Sequence, residues 1–185
     1  MKRNLSLKLA VAASPFLLFA LTAHSATADK KMAAETEIKN ASGAKVGAAT
    51  FTELEDGVNI RVSVTGLTPG KHGIHIHEKG VCDDAGFKKS GSHLSKPHQK
   101  HGEKNDHPHG GDMPNLVVLN DGTGTLEITQ KHMTLGKDTK DKVSLLKAGG
   151  SALVIHEKED DQKSDPAGDS GDRIACGVIK AAAKM

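Results

Sequence analysis

Two histidines separated by one residue, His75 and His77, are the residues of this chain best suited to chemistry. They fall in a segment of alternating character that predicts a β-strand, in which residues two apart project from the same face. Both imidazoles can then converge on one ion, and imidazole nitrogen suits zinc and copper. In a chain with 11 histidines such pairs also arise by chance, and His107 and His109 form a second one. The spacing therefore indicates metal binding only weakly.

A long polar segment from about Gly80 to Pro114 is rich in histidine. Structureless connections of this length are uncommon in compact domains and are usually functional or disordered. Because the segment has few apolar residues to bury, metal coordination would supply the order that hydrophobic packing cannot. A disordered polar loop is the alternative on composition alone. A second long connection, from about Lys158 to Asp172, is rich in Asp, Gly and Ser.

Short segments with period-two alternation must position these groups. Ile60, Val62 and Val64, for example, alternate with polar residues, and turn signals such as Asp121-Gly122 and Gly149-Gly150 separate such segments. The sequence shows no amphipathic helix of ordinary length, so it predicts an all-β class, a sandwich or flattened barrel of about eight strands. The predicted strands span residues 35–41, 45–53, 59–65, 72–79, 115–120, 125–129, 152–157 and 174–180.

The beginning of the chain has the features of an export signal. Three basic residues precede an apolar run, Leu9–Leu21, which is too short to span a bilayer, and Ala26-Thr27-Ala28 matches the A-x-A cleavage pattern. We therefore predict that residues 1–28 are a signal peptide, cut after Ala28 or Ser25. Residues 29–185 would then form one domain in the periplasm or outside the cell. An uncleaved membrane anchor is the alternative.

Composition argues against nucleic acid as a partner. The formal charge of +2 includes the three basic residues of the predicted signal, and without them it is −1. Phe51 and Phe87 are then the only aromatic residues, too few for base stacking. The mature domain is expected to carry no membrane anchor.

Cys82 and Cys176 are the only cysteines of the chain. In an exported protein an isolated pair most often forms a disulfide, which is our prediction here. Closing so long a loop contributes about 4–5 kcal/mol in the chain-entropy model. Two thiolate metal ligands are the alternative.

Several short motifs rich in His, Gly and Asp are spread along the chain. They are Gly73–Glu78, Ser90–His93, His101-Gly102, His109–Asp112, Val154–Lys158 and Gly171–Ile179. Together they resemble the copper-zinc superoxide dismutase family, in the family's order and at compatible spacings. The resemblance extends over nearly all of residues 32–181. The position of Cys82, shortly after the first motif, resembles that of a cysteine in the exported, periplasmic-type bacterial branch of the family.

The resemblance implies an eight-stranded Greek-key barrel, or immunoglobulin-like sandwich, with two long functional loops. It also implies an enzyme that converts superoxide to oxygen and hydrogen peroxide, with copper and zinc as cofactors. His93, as an imidazolate, would bind both ions. The implied copper ligands are His75, His77, His93 and His156, and the implied zinc ligands are His93, His101, His109 and Asp112.

Two further residues gain roles through the resemblance. Arg173, three residues before Cys176, resembles the family's active-site arginine and would dock the superoxide anion. Asp160 resembles the carboxylate that links a copper-ligand histidine to a zinc-ligand histidine. For Arg173 the alternative is a surface ion pair with Asp169 or Asp172. For Asp160 the alternative is a solvated aspartate in a polar loop.

The segment after the bridging histidine departs from the family. Leu94-Ser95-Lys96 stands where an aromatic residue and an earlier proline are usual, which puts the local conformation and metal affinity in question. His98 and His107 are alternatives to His101 and His109 as zinc ligands. We prefer His101 for its spacing from the bridging histidine, and His109 for its His-x-x-Asp step.

The other histidines receive structural interpretations. His72 lies on the opposite face of its predicted strand from His75, so we expect a core or hydrogen-bonded role. His132 is expected at the surface near a strand end.

Two rival functions remain at this point. One is a non-enzymatic copper- or zinc-binding member of the same fold, although such relatives lose copper ligands or the arginine, and here all are present. The other is a His-rich zinc scavenger without a defined site, which leaves His156 and Arg173 unexplained. The sequence leaves open whether the protein is a monomer or a homodimer.

Overall fold

The computed structural model describes residues 31–102 and 106–183, so the predicted signal peptide lies outside the described residues. Within this part the only helix is a 3-10 turn at Lys88–Ser90, which confirms the all-β prediction. No helix there is long and apolar enough to cross a bilayer. The strands are β1 (Ala33–Asn40), β2 (Lys45–Leu54), β3 (Gly57–Val64), β4 (Gly70–His72), β5 (Ile74–His77), β6 (Leu116–Val118), β7 (Gly124–Gln130), β8 (Met133–Thr134), β9 (Val143–Ser144), β10 (Ala152–His156), β11 (Arg173–Val178) and β12 (Lys180–Ala181).

One sheet contains all strands except the short parallel pair β8–β9. Its order is β4-β6-β7-β3-β2-β1-β11-β10-β5, with β12 beside β1. β4 and β5 lie at opposite ends of this order, yet only Gly73 separates them in the chain. The sheet therefore curls into a nearly closed antiparallel barrel. Counting β4 with β5 and β11 with β12 leaves eight strands, as predicted.

Alternation of side chains in β3 shows how the barrel acquires its core. Ile60, Val62 and Val64 are buried in the main hydrophobic cluster, whereas Arg61 and Ser63 are exposed. Burying each such aliphatic side chain contributes about 1.5–3 kcal/mol. Because the period of a strand is two residues, one apolar face per strand is enough to fill the interior.

The predicted strand over residues 72–79 is wrong as a single element, because the structure divides it at Gly73. The N–H of Gly73 donates to the Lys158 carbonyl (2.7 Å), and its own carbonyl accepts from the N–H of His156 (2.8 Å). A Cβ on residue 73 would lie 2.8 Å from the Cβ of Ser170. The chain therefore changes strand partners at a position where neighbouring side chains leave space only for glycine.

Candidate metal centre

Two neighbouring strands place three histidines on the outer face of the barrel. β5 pairs antiparallel with β10, and Ile74 and Ile76 of β5 point into the main core. Alternation then turns His75 and His77 outward, where the long loop after β5 covers them to 0% and 1% exposure. His156 ends β10 on the same covered face and is 3% exposed.

The long loop returns along the open edge of β5 and pairs with it. The N–H of Leu94 donates to the Ile76 carbonyl (2.7 Å), and the N–H of Ile76 donates to the Gly111 carbonyl (2.9 Å). A Cβ on Gly111 would collide with the Ile76 carbonyl oxygen, so this close approach requires glycine. The pairing places His93 and Asp112 directly beside β5.

Four imidazoles converge at this edge and form what we call the strand group. One ligand atom of each lies within 4.8 Å of the others, and all four side chains are buried. The rings of His75 and His93 stack with their centroids 4.0 Å apart. The members of the strand group are His75, His77, His93 and His156.

In each ring of the strand group one nitrogen faces a carbonyl or carboxylate oxygen, and the other has no hydrogen-bond partner in the described part of the chain. The oxygen holds the N–H on the bonded nitrogen and leaves the lone pair on the other. A buried unpaired polar atom costs about 1–3 kcal/mol, so four of them together call for a common partner. A metal ion fits that requirement. The unpaired atoms are Nδ1 of His75 and Nε2 of His77, His93 and His156.

Burial keeps the strand group neutral. It lowers the pKa of His75 to about 3 and the pKa of His156 to about 4. It also holds the pKa of His77 and His93 below the ordinary value, and the positive charge of the Arg173 guanidinium further lowers the pKa of His77. Neutral imidazoles bind metal ions through the free nitrogen, so no proton has to leave His75, His77 or His156, whereas His93 would give up its Nδ1 proton to hold a second ion.

A second cluster, the loop group of His93, His101, His109 and Asp112, is centred on a carboxylate. Oδ1 of Asp112 accepts from Nδ1 of His93 (2.8 Å) and Nδ1 of His101 (3.1 Å), and Oδ2 accepts from the N–H of Gly102 (2.8 Å). Nδ1 of His109 lies 3.4 Å from the same Oδ1 without a hydrogen bond. Three imidazoles and one carboxylate are a donor set that suits tetrahedral zinc.

The charge balance of the loop group differs from that of the strand group. Burial lowers the pKa of His101, but hydrogen bonds to Asp112 and Asp160 outweigh burial and raise its pKa to about 10. Burial raises the pKa of Asp112, and its hydrogen bonds to the surrounding histidines overcome this and leave the pKa well below the ordinary value. A proton and a divalent cation would therefore compete for the same atoms.

Asp160 connects the two groups. Its Oδ2 accepts from Nε2 of His75 (2.7 Å), and its Oδ1 accepts from Nε2 of His101 (2.9 Å). These three side chains also form a close ligand set, but their atoms are already bonded to one another. Asn115, which the sequence analysis missed, holds the Asp160 backbone through two hydrogen bonds of 2.9 and 2.8 Å. An asparagine at a strand end carries no sequence signal for this role.

Arg173 lies beside the strand group and is bonded to the loop that covers it. Its guanidinium donates to the carbonyls of Phe87 (2.8 Å) and Gly91 (2.8 Å) and to Oγ of Ser90 (3.1 Å). No carboxylate of the described residues forms an ion pair with it, including the two aspartates considered in the sequence. The hydrogen bond between Arg173 and the fully buried Ser90 was not predicted from the sequence.

The predicted disulfide is present between Cys82 and Cys176, with a Cα–Cα distance of 5.8 Å. It joins the covering loop to β11, the strand that begins with Arg173. Phe87 and Val154 pack with the two cysteines in a small apolar cluster outside the main core. The loop that holds the guanidinium is thereby attached to the barrel.

The remaining sequence candidates lie outside both groups. His98 and His107 belong to neither group, and His101 and His109 occupy the loop group instead. The ring nitrogens of His72 face backbone carbonyls at 2.7 and 2.8 Å, as the structural interpretation expected. Leu94, where the sequence departs from its relatives, is 1% exposed and packs in the main core.

Comparison with known proteins adds an independent observation. The sequence profile described as copper/zinc superoxide dismutase (SODC) matches residues 45–179. The chain belongs to this family. A protein named superoxide dismutase [Cu-Zn] 2 from Aquifex aeolicus is 42% identical over 158 residues, which cover 84% of this chain and 91% of that protein. A superoxide dismutase [Cu-Zn] from Caulobacter vibrioides is 41% identical over 145 residues, covering 77% of this chain and 83% of that protein.

The fold agrees with membership of the copper/zinc superoxide dismutase family. The crystal structure of a SOD-like protein from Bacillus subtilis superposes with a TM-score of 0.72 at 35% identity, covering 78% of this chain and 96% of that chain. The donor atoms fit both ions of the family name. Four neutral imidazoles with unpaired nitrogens suit copper, and the carboxylate-centred loop group suits zinc.

Proposed function

We propose that this protein converts superoxide to oxygen and hydrogen peroxide, with copper in the strand group and zinc in the loop group. His93 belongs to both groups and would bridge the two ions. The observation that carries the proposal is the set of four buried, unpaired ring nitrogens, one of them on the histidine shared with a carboxylate-centred site.

The reaction consumes two superoxide anions and two protons and yields one O₂ and one H₂O₂. When bound, copper supplies a one-electron couple and zinc supplies a fixed positive charge without redox chemistry. The protein must deliver protons to the second superoxide. Nε2 of His93 suits this task, because Nδ1 of the same ring is held on the loop-group side by Asp112 at 2.8 Å. The ring can gain and release a proton at Nε2 without turning.

Arg173 docks the anion in this proposal. The three hydrogen bonds to the covering loop orient the guanidinium, and its Nε has no partner within the described residues. A fixed positive charge beside the strand group attracts superoxide over a distance comparable to the Debye length, so the rate should fall as salt rises. We expect Arg173→Ala to lower kcat/KM and to flatten this salt dependence, whereas exposed Arg61→Ala should change neither. A wild-type rate that is indifferent to ionic strength would contradict steering.

The test of the function is a metal assay and an activity assay on one sample of mature protein. Copper and zinc are each expected near one per chain, together with catalytic consumption of superoxide. A zinc-loaded protein that takes up no copper would overturn the proposal in favour of a non-enzymatic member of the fold.

We infer that the protein works after export, in the periplasm or outside the cell. A disulfide between the only two cysteines supports this, since such bonds persist in oxidising compartments. Cell fractionation and N-terminal sequencing should find a mature chain that starts at Asp29 or Ala26. An unprocessed cytoplasmic chain would overturn the inference, and sedimentation of the same sample distinguishes a monomer from a homodimer.

A further inference from the structure

Three histidines outside the strand and loop groups line one cavity. His98, His107 and His132 surround an open cavity of about 490 Å³ beside the long loop. Of the 11 histidines, six form the two groups, His72 is bonded to backbone carbonyls, and His24 lies outside the described residues. All the remaining histidines of the chain therefore line this one open cavity.

These three imidazoles are available to a ligand. Within residues 31–102 and 106–183, none of the three imidazole rings has a hydrogen-bond or ion-pair partner. His98 and His107 are exposed and His132 is half-buried. The contrast with His72 is informative, because both nitrogens of that ring face carbonyl oxygens. Ring nitrogens without a protein partner keep their lone pairs for an ion.

Backbone hydrogen bonds position the cavity wall. The N–H of Lys100 donates to the His107 carbonyl (3.0 Å), and the N–H of His109 donates back to the Lys100 carbonyl (3.0 Å). On the other side, the His132 carbonyl accepts from the N–H of Val143 (2.8 Å). Segments that are far apart in the sequence thus present their histidines to the same space.

The charges around the cavity identify the kind of ion. Asp106 and Asp141 also line it, and Lys96 and Lys140 oppose them, so the wall carries no net charge that would hold a hard cation. Nζ of Lys96 donates to the carbonyls of Thr139 and Lys140 and is therefore turned to the backbone. Imidazole nitrogens are the remaining donors, and they favour zinc-like ions over Mg²⁺ or Ca²⁺.

We propose that His98, His107 and His132 form a third metal site, a surface site for Zn²⁺ or a similar borderline divalent ion. The three rings do not lie as close together as those of the strand and loop groups. Exposed side chains change rotamer on the picosecond-to-nanosecond timescale, so an ion can draw the rings inward. The site binds more weakly than the loop group, because binding must order side chains that are otherwise mobile.

The experiment uses the protein with copper reduced and both groups filled, which is diamagnetic and allows NMR of the imidazoles. Zn²⁺ added to this sample should shift the signals of His98, His107 and His132, and calorimetry should find one additional ion per chain. Replacing all three histidines by alanine should weaken this binding by at least about tenfold, since even loss of an outer partner of a metal ligand costs that much. Superoxide consumption and the copper and zinc of the two groups should be unchanged.

A matched variant, D106N/D141N, separates imidazole from carboxylate binding. We expect it to retain the additional Zn²⁺ and expect Mg²⁺ not to compete. Absence of a third ion, loss of binding in D106N/D141N with retention in the histidine variant, or displacement by Mg²⁺ would each overturn the proposal. Because the imidazole shifts are measured on the unaltered chain, the result does not depend on the variant folding. Because activity is measured separately, failure here leaves the proposed enzyme untouched.

Discussion

The strand group and the loop group share His93 but are built in different ways. In the strand group, β5 and β10 supply His75, His77 and His156, and each ring is oriented by one hydrogen bond to an oxygen outside the group. In the loop group, the ligands come from the long loop, and the rings of His93 and His101 both donate to the Asp112 carboxylate. One site is part of the barrel wall, and the other depends on its own internal contacts.

The ligands of the two groups are held in place by different means. A barrel strand presents its side chains in a geometry set by the sheet, so the strand group can be arranged before any ion arrives. A polar loop has little apolar surface to bury, so an ion or a proton must balance the Asp112 carboxylate and hold the ligands. We therefore expect redox chemistry to depend on the strand group and loop order to depend on the loop group.

The largest expected effect is that of His156→Ala. His156 belongs to the strand group alone, so copper binding should fail and superoxide activity should fall by more than about 100-fold, since loss of only an outer partner costs 10–100-fold. Zinc content should remain near one per chain. His132→Ala, outside both groups, is the control for activity. Loss of zinc together with copper would show that the two groups are not separable.

Asp112→Asn tests the loop group in the same way. Removing the charge leaves the surrounding imidazoles without their counter-ion, and breaking a buried pair typically costs about 3–5 kcal/mol. Zinc content and the free energy of unfolding should both fall. Asp121→Asn, which changes an exposed carboxylate that accepts from the N–H of Thr123, should leave both unchanged. A zinc-loaded Asp112→Asn protein of normal stability would argue that the loop is ordered without this carboxylate.

Asp160→Asn addresses the link between the groups. It removes the carboxylate that orients His75 and His101, and such outer partners contribute about 10–100-fold to metal affinity. Competition with a chelator should reveal weaker binding of both metals. The neighbouring Asp161→Asn is the matched control, because Asp161 is exposed and caps only its own turn. An effect on one metal alone would restrict the link to one group.

The smallest effect is expected in the amide hydrogen exchange of the intact chain after a chelator has removed both metals. Amides of the long loop should lose protection by about tenfold or more, whereas amides of β3 and β7 should change by less than about twofold. Restoring zinc alone should return most of the protection. Equal loss in the loop and in the strands would remove the distinction between the two groups.

The features predicted from sequence are those that depend on local periodicity and on motif order. Alternation in β3 and β5 follows from side-chain geometry within one strand, so the buried faces could be assigned without a structure. His101 rather than His98 lies in the loop group, and its role as a zinc ligand stays a prediction.

What sequence reasoning missed depends on contacts between distant segments. The break at Gly73 arises because Lys158, His156 and Ser170 approach from elsewhere in the chain. Ser90 and Asn115 act through an arginine and an aspartate that lie more than 40 residues away. Serine and asparagine in loops mostly bond to water or to neighbouring backbone, so neither residue type predicts a hydrogen bond to a distant site residue.

The barrel closes at Gly73, next to the strand that carries two histidines of the metal centre. The barrel closes where β4 passes into β5, and the same β5 carries His75 and His77. An ion held by the strand group would therefore link β5, β10 and the returning loop beside the point where the barrel closes. Opening the barrel at this point would require release of that ion. We therefore expect the rate of metal loss and the rate of unfolding to be the same.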